Sequence, residues 1–208
     1  MEDYQSGEFT GGEALKKRLA ELAENLTQAA TLKVGFLAGS DYEDGTSLPM
    51  VAAVQEFGGK INHPGGTRYI TDAVVGRGDK RRLATRFVGK DFKGETKVTQ
   101  AHVIDVPARP FFRPMIAKCS PGWGEMLAGD LKRTNYDAKK SLAALGIVME
   151  GQLQQSIKDV TEPPLAASTI RKRLSRYKNK KGASATIEKP LIDTGHMIKS
   201  VRSEVSDA

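Results

Sequence analysis

The sequence predicts an α+β fold: a small sheet packed with a long helix and shorter helices, plus an inserted, projecting β-hairpin region. Three observations predict it. Apolar residues recur at helical spacing near both ends of the chain. The stretch 60–106 is rich in β-formers and turn residues. The joint Val106-Pro107-Ala108-Arg109-Pro110-Phe111-Phe112-Arg113-Pro114 separates strands from helices. On this reading residues 1–59 and 104–208 form the core domain and residues 60–103 the inserted hairpin arm.

Leu15, Leu19, Leu22 and Leu26 lie on one face of a helix expected over 13–30, with a solvated polar face opposite. A strand is expected over 32–38, where Leu32, Val34 and Phe36 alternate with Thr31, Lys33 and Gly35, and the polar tract 39–47 then turns the chain. Ser47 can cap a following helix through Val51, Ala52, Val54 and Phe57, which Gly58-Gly59 ends. His63-Pro64-Gly65-Gly66, Gly76-Arg77-Gly78-Asp79 and Lys90-Asp91-Phe92-Lys93-Gly94 punctuate β-rich runs at 69–70, 83–88 and 96–106. The apolar positions of the last run do not alternate cleanly, which predicts a bulge or a strand that leaves one sheet for another.

At the joint, Pro107 and Pro110 push Val106 and Arg109 into extended conformations, so a strand ends near Val106. Pro110 suits the first turn of a helix, and of Phe111 and Phe112 one faces the local core and the other a neighbouring surface. Ser120-Pro121-Gly122 is expected to break the chain before a helix over 123–133. Thr134 or Asn135 can cap the longest helix, whose apolar residues run from Leu142 to Ile157. Pro163-Pro164 closes that region, a short basic helix spans 168–177, a flexible tract follows over 178–184, and 200–205 is a last strand. In 191–198, Asp193 or Thr194 can satisfy the first amides of a short helix.

The net charge of +7 is uneven. Between Arg77 and Lys97 stand eight basic residues against three acidic ones, and Arg171 to Lys181 holds seven bases and no acid. The first 24 residues lean acidic, through Glu2, Asp3, Glu8, Glu13, Glu21 and Glu24. Patches of opposite sign suit head-to-tail contact between identical subunits as well as they suit nucleic acid. The residues expected at such contacts are Arg77, Lys80, Arg81, Arg82, Arg86, Arg171, Lys172, Arg173, Arg176, Lys180 and Lys181. No run of about 18 apolar residues exists, so no membrane is expected among the partners. The opening Met1-Glu2-Asp3-Tyr4 lacks the basic and apolar regions of a signal peptide, and the expectation is a cytosolic start.

Cys119 is the single cysteine, which leaves neither an internal disulfide nor a multi-cysteine metal site. No two of His63, His102 and His196 have the i, i+4 spacing of a zinc site. Asp193-Thr194-Gly195 matches the catalytic triplet of aspartic proteases but follows a basic helix rather than apolar strands, and the glycine pairs lack the lysine and spacing of a phosphate loop. The expectation is a protein that is not an enzyme and holds no cofactor or metal.

Four segments, read in order, carry a resemblance: 51–58 (VAAVQEFG), 106–114 (VPARPFFRP), 165–172 (LAASTIRK) and 189–201 (KPLIDTGHMIKSV). Over about residues 48–201 the chain resembles phage virion-morphogenesis and tail-completion proteins, with a hairpin region longer than the compact pattern. The resemblance implies a structural virion protein of the neck or tail of long-tailed phages, assembled in the host cytoplasm. It would form an oligomeric ring at the head-to-tail junction, with itself, adjacent neck, connector or tail-tube proteins, and DNA in the channel as candidate partners. The motif residues Phe57, Gly58, Arg109, Pro110, Phe111, Phe112, Asp193, Thr194 and Gly195 are expected to hold the fold. The competing reading is a non-specific nucleic-acid-binding protein that uses the basic arms. Against it, few aromatics that could stack on bases stand among the basic residues.

Overall fold

A computed structural model of the chain describes residues 12–27, 30–75, 81–177 and 187–207. The fold is α+β: among the described residues there are six helices and several small antiparallel sheets. The chain divides into two compact units, Met1–Phe57 with Arg109–Ala208, and Gly58–Ala108.

The first unit contains α1 (Gly12–Thr27), β1 (Ala30–Phe36) and α2 (Leu48–Phe57) from the front of the chain. From the back it takes α3 (Phe112–Arg133), α4 (Ala138–Asp159), α5 (Ala167–Tyr177), α6 (His196–Lys199) and β7 (Val201–Asp207). Its sheet joins the two ends: β1 and β7 pair antiparallel from Ala30 opposite Asp207 to Phe36 opposite Val201. Helix α4 lies on this ribbon and approaches closely at Gly146, where an added Cβ would stand 2.8 Å from Ser203 Oγ and 3.0 Å from Leu32 Cδ1. The core is built from Leu48 and Ala52 of α2, Phe111 and Met115 at the start of α3, Leu153 and Ile157 of α4, and Leu191, Met197 and Val201. Full burial of side chains of this size stabilises by roughly 1.5–3 kcal/mol each.

Several expectations are corrected here. Helix α3 does not start at Pro110: it starts at Phe112 with Phe111 as N-cap, because a carboxylate from α2 takes up the first amides there. Nor does the chain break at Pro121, which lies inside a continuous 22-residue helix. An interior proline costs about 3 kcal/mol. Packing of both halves against α4 offsets it, with Met115 in the shared core and Trp123 Nε1 donating to Gln152 Oε1 at 2.8 Å. Helix α4 is no longer than α3, since both span 22 residues. Its cap is Asp137, which accepts from Lys140 N at 3.0 Å, whereas Thr134 ends α3 and Asn135 and Tyr136 form the turn with φ of 59° and 62°. The amino-terminal helix occupies Gly12–Thr27, and its leucine stripe is not buried: Leu15 is 59% and Leu19 56% exposed. It is tied to the α3–α4 turn by polar contacts, Arg18 and Asn25 both donating to Asn135.

The second unit holds β2 (Gly59–His63), β3 (Arg68–Val75), β4 (Arg82–Phe87), β5 (Lys97–Val98) and β6 (His102–Val106). The expected run 96–106 is two strands on two sheets. β5 pairs with β3 in the order β4-β3-β5, while β6 pairs with β2. Gly58 opens the unit at φ 73°, where a Cβ would lie 2.9 Å from Ala108 N and 3.0 Å from Val106 O. Gly58→Ala is therefore expected to cost about 1–3 kcal/mol through the strained φ and the clash with backbone. A thermal melt followed by far-UV circular dichroism checks this, and an unchanged melting profile would show that the turn relaxes freely. The turn expected at 76–79 and the tract expected over 178–184 lie outside the described residues.

Candidate functional site

The polar residues of the first unit form a frame that starts at the end of α2. Glu56 is the one charged residue of this apolar helix and is buried. Its Oε2 accepts from the amides of Phe111 at 2.7 Å and Phe112 at 2.9 Å, and its Oε1 from Arg113 N at 3.2 Å and Arg113 Nε at 2.9 Å. A carboxylate from another helix thus takes the place of a local N-cap, where the α3 dipole and unpaired amides favour negative charge. Burial pushes the Glu56 pKa up, but the amides of Phe112 and Phe111 and the Arg113 guanidinium outweigh it and hold the carboxyl below its ordinary value. Arg113 also lies 5.0 Å over the exposed Phe57 ring.

Arg109 is the second joint. Its amide donates to Gln55 O at 2.6 Å, its Nε to Pro163 O at 2.9 Å and its Nη2 to Pro164 O at 3.3 Å. Phe111 fills the core, and Phe112 is partly buried beside Gly35. Pro110 is exposed in the extended approach to α3.

Arg173 is the third joint, and its placement corrects an expectation. It stands in the basic tract expected at an interface, yet it is buried. Its guanidinium donates to the carbonyls of Ile187, Lys189, Ile192 and Pro190 at 3.2, 2.7, 2.8 and 3.4 Å. Arg173 is therefore unavailable to a partner.

Asp193 is likewise not the cap of α6. Gly195, at φ 79°, occupies that position without a side-chain bond, and Thr194 Oγ1 accepts from His196 N at 3.3 Å. The Asp193 carboxylate is drawn instead to α5, accepting from Arg176 Nη1 at 2.7 Å and Tyr177 OH at 2.9 Å, because two donors on that helix outcompete the amides. Arg173, Arg176, Asp193 and His196 border a cleft of about 420 Å³, in which the His196 ring lies 4.8 Å from Tyr42. His63 and His102 face each other across β2 and β6 with ring centroids 4.9 Å apart. Among the described residues no three or more His, Cys, Asp or Glu side chains gather where they could hold a metal ion.

In the second unit the β3–β4 register sorts side chains onto two faces, since cross-strand partners point the same way. Tyr69 is opposite Phe87 and Val74 opposite Leu83, which places these four on one face. Arg82 and Arg86 alternate with them and point to the other. The apolar face is bare: Val74 is 64%, Leu83 68% and Phe87 65% exposed. Ala73 is the only described residue of the unit that is buried. Arg81, Arg82 and Arg86 are exposed and form no ion pair with a described residue. Arg171 and Lys172 are exposed on α5. Arg77, Lys80, Lys180 and Lys181 lie outside the described residues.

No protein-family model, curated protein or solved structure matches this chain.

Two features escape a reading of the sequence alone. The role of Glu56 had a signal, a lone charge in the apolar stretch Leu48–Phe57. The bare face had another, the alternation Arg82-Leu83-Ala84-Thr85-Arg86-Phe87, which needs the partner strand before its exposure can be known.

Proposed function

We propose that the chain is a structural virion protein of the phage neck or tail, a tail-completion or head-tail joining component that works as an oligomeric ring at the head-to-tail junction. The observation that carries this reading is the second unit, whose strands form two small sheets yet leave their large apolar side chains in solvent. A sheet that buries so little of its own surface gains its stabilisation from a partner. The four segments that carry the resemblance also meet in space. Glu56 of the first holds the amides of the second, Arg109 of the second holds carbonyls just before the third, and Arg173, one residue after the third, holds carbonyls of the fourth. Their polar residues are spent on a rigid body that can present contact surfaces to neighbouring neck, connector or tail-tube proteins.

The second reading, non-specific binding of nucleic acid, is favoured by Arg82 and Arg86, two exposed cations on one sheet face. Native mass spectrometry with negative-stain microscopy of the full-length chain tests the two together. A closed ring of identical subunits whose mass is unchanged by added duplex supports the proposal. Monomers at every concentration that bind random duplex with a steep salt dependence would replace it with the second reading.

A further inference from the structure

The two sheets of the second unit are joined by two short links. The chain leaves β2 at His63 and enters β3 at Arg68, and on its return it leaves β5 at Val98 and enters β6 at His102. Residues 64–67 and 99–101 are thus the whole covalent connection between the β2–β6 ribbon and the β4-β3-β5 sheet. The links also bond to each other. Gly66 N donates to Thr99 O at 2.9 Å, Thr99 N to Thr67 O at 2.9 Å and Thr67 N to Thr99 Oγ1 at 3.0 Å. Gly65, at φ 80°, lies so close to the other link that an added Cβ would stand 2.7 Å from Gln100 C and 2.8 Å from Ala101 N. At the ribbon end of this joint His63 and His102 are opposite each other in register, with ring centroids 4.9 Å apart and planes 27° from parallel. Their hydrogen bonds fix where the protons sit. His63 Nδ1 lies 3.0 Å from Gly65 N, a donor, so this ring is neutral with its proton on Nε2. His102 Nδ1 lies 3.0 Å from Gln100 O, an acceptor, so there Nδ1 carries the proton.

We propose that the stacked pair His63 and His102 makes this joint proton-operated: it is closed while His63 is neutral, and acid loosens the links between the two sheets. A second proton has one place to go on His63, the Nδ1 lone pair, where it sets N–H against the N–H of Gly65. The resulting cation also lies against a second imidazole that gains charge in the same range. His102 takes its second proton on Nε2 and keeps its bond to Gln100 O. Both rings share the repulsion, but His63 alone releases a backbone amide. Histidine ordinarily changes charge between about pH 5 and about pH 8. The neutral ring favours the closed joint, so its contribution is complete above that range and is lost as pH falls through it. The charged residues of the adjoining segments point elsewhere. Ile61 and Ile104 share the face of the histidines, whereas Lys60 and Asp105, three positions along, lie on the other. The links 64–67 and 99–101 contain no titratable side chain. Arg68 donates to Thr96 Oγ1 and to the carbonyls of Lys90 and Phe92, and Lys97 stands opposite Tyr69, one pair further into the sheet. The joint works within one chain and does not depend on a ring of subunits.

The test is NMR spectroscopy of the full-length chain. At neutral pH the ring nitrogens of His63 are expected to report a proton on Nε2 alone, and a proton on Nδ1 would overturn the proposal before any variant is made. From about pH 7.5 to about pH 5.5 the exchange protection of the Gly65, Gly66 and Thr99 amides, corrected for the intrinsic effect of pH on exchange, is expected to fall about fivefold, the worth of one net hydrogen bond. Ala73 in β3, paired with Ala84, is expected to keep its protection. His63→Asn offers an acceptor oxygen to the same amide and takes no proton in this range, so its links are expected to stay protected throughout. His102→Phe keeps a ring beside His63 without its charge, so the fall is expected to remain but to move to lower pH. No fall in wild type, or an equal fall in His63→Asn, would overturn the proposal. A fall shared by Ala73 would be unfolding of the unit rather than opening of a joint and would overturn it as well. The tautomer and exchange readings on wild type decide the matter even where a variant does not fold.

Discussion

Glu56→Ala is expected to lower the stability of the first unit by about 3 kcal/mol, because three amides at the start of α3 lose their acceptor in a buried site. Solvent does not replace it readily, since Glu56 is 4% and Phe111 1% exposed. Arg113 is largely exposed and rehydrates, so its ion pair contributes little to the loss. Glu56→Gln keeps one acceptor oxygen and turns an amide toward the remaining donors, so its cost falls between wild type and alanine. The pH dependence separates charge from shape. The folded-state pKa lies below the ordinary 4.5, so the ionised carboxylate favours the folded chain. That contribution is complete above the unfolded value and is lost as pH falls through the lower folded one. Urea titrations read by Trp123, the single tryptophan, on α3, follow this unit directly. The gap between wild type and Glu56→Gln is expected to shrink from about pH 7 to about pH 3. A gap that stays constant over that range would mean that the carboxylate charge is not what holds α3.

Arg173→Ala is expected to cost about 3 kcal/mol or more, and its damage should be local to 187–193. One guanidinium gathers four carbonyls of that segment, within 3.4 Å, and lies 3.6 Å from Asp193. No other side chain could replace a planar fork of five N–H donors. Lysine keeps the charge but reaches fewer carbonyls, so Arg173→Lys should recover less than half of the loss. The same segment supplies Leu191 to the core, so its release also exposes apolar surface. Limited proteolysis should show new cleavage within 187–193 in Arg173→Ala at temperatures where wild type resists. Equal cleavage rates in the two proteins, with equal urea midpoints, would reduce Arg173 to one more surface base.

The differing fates of Arg173 and Arg171 show how far the sequence could be read. Both stand in a tract of seven bases without an acid, and composition treats them alike. Helix geometry puts them on different sides of α5, but which side faces inward depends on carbonyls 14 to 19 residues further on. Pro121 is a similar case. Local chemistry reads Ser120-Pro121-Gly122 as a stop, and packing of Met115 and Trp123 on either side carries the helix through it. Asp193 was legible as a helix-capping residue type, yet Arg176 and Tyr177 claim its carboxylate first.

The sequence by itself determined the α+β class, the helical periodicity of α1 and α4, the strand-rich middle and the corner at 106–114, because each rests on spacing or on proline and glycine stereochemistry within a few residues. Only the tertiary structure decided which charges are interior and which apolar faces stay bare. Glu56 meets Phe111 across 55 positions, Arg109 meets Pro163 across 54, and the exposure of Leu83 follows from its register with Val74. Burial is a property of what the rest of the chain places against a residue, and no local pattern encodes it.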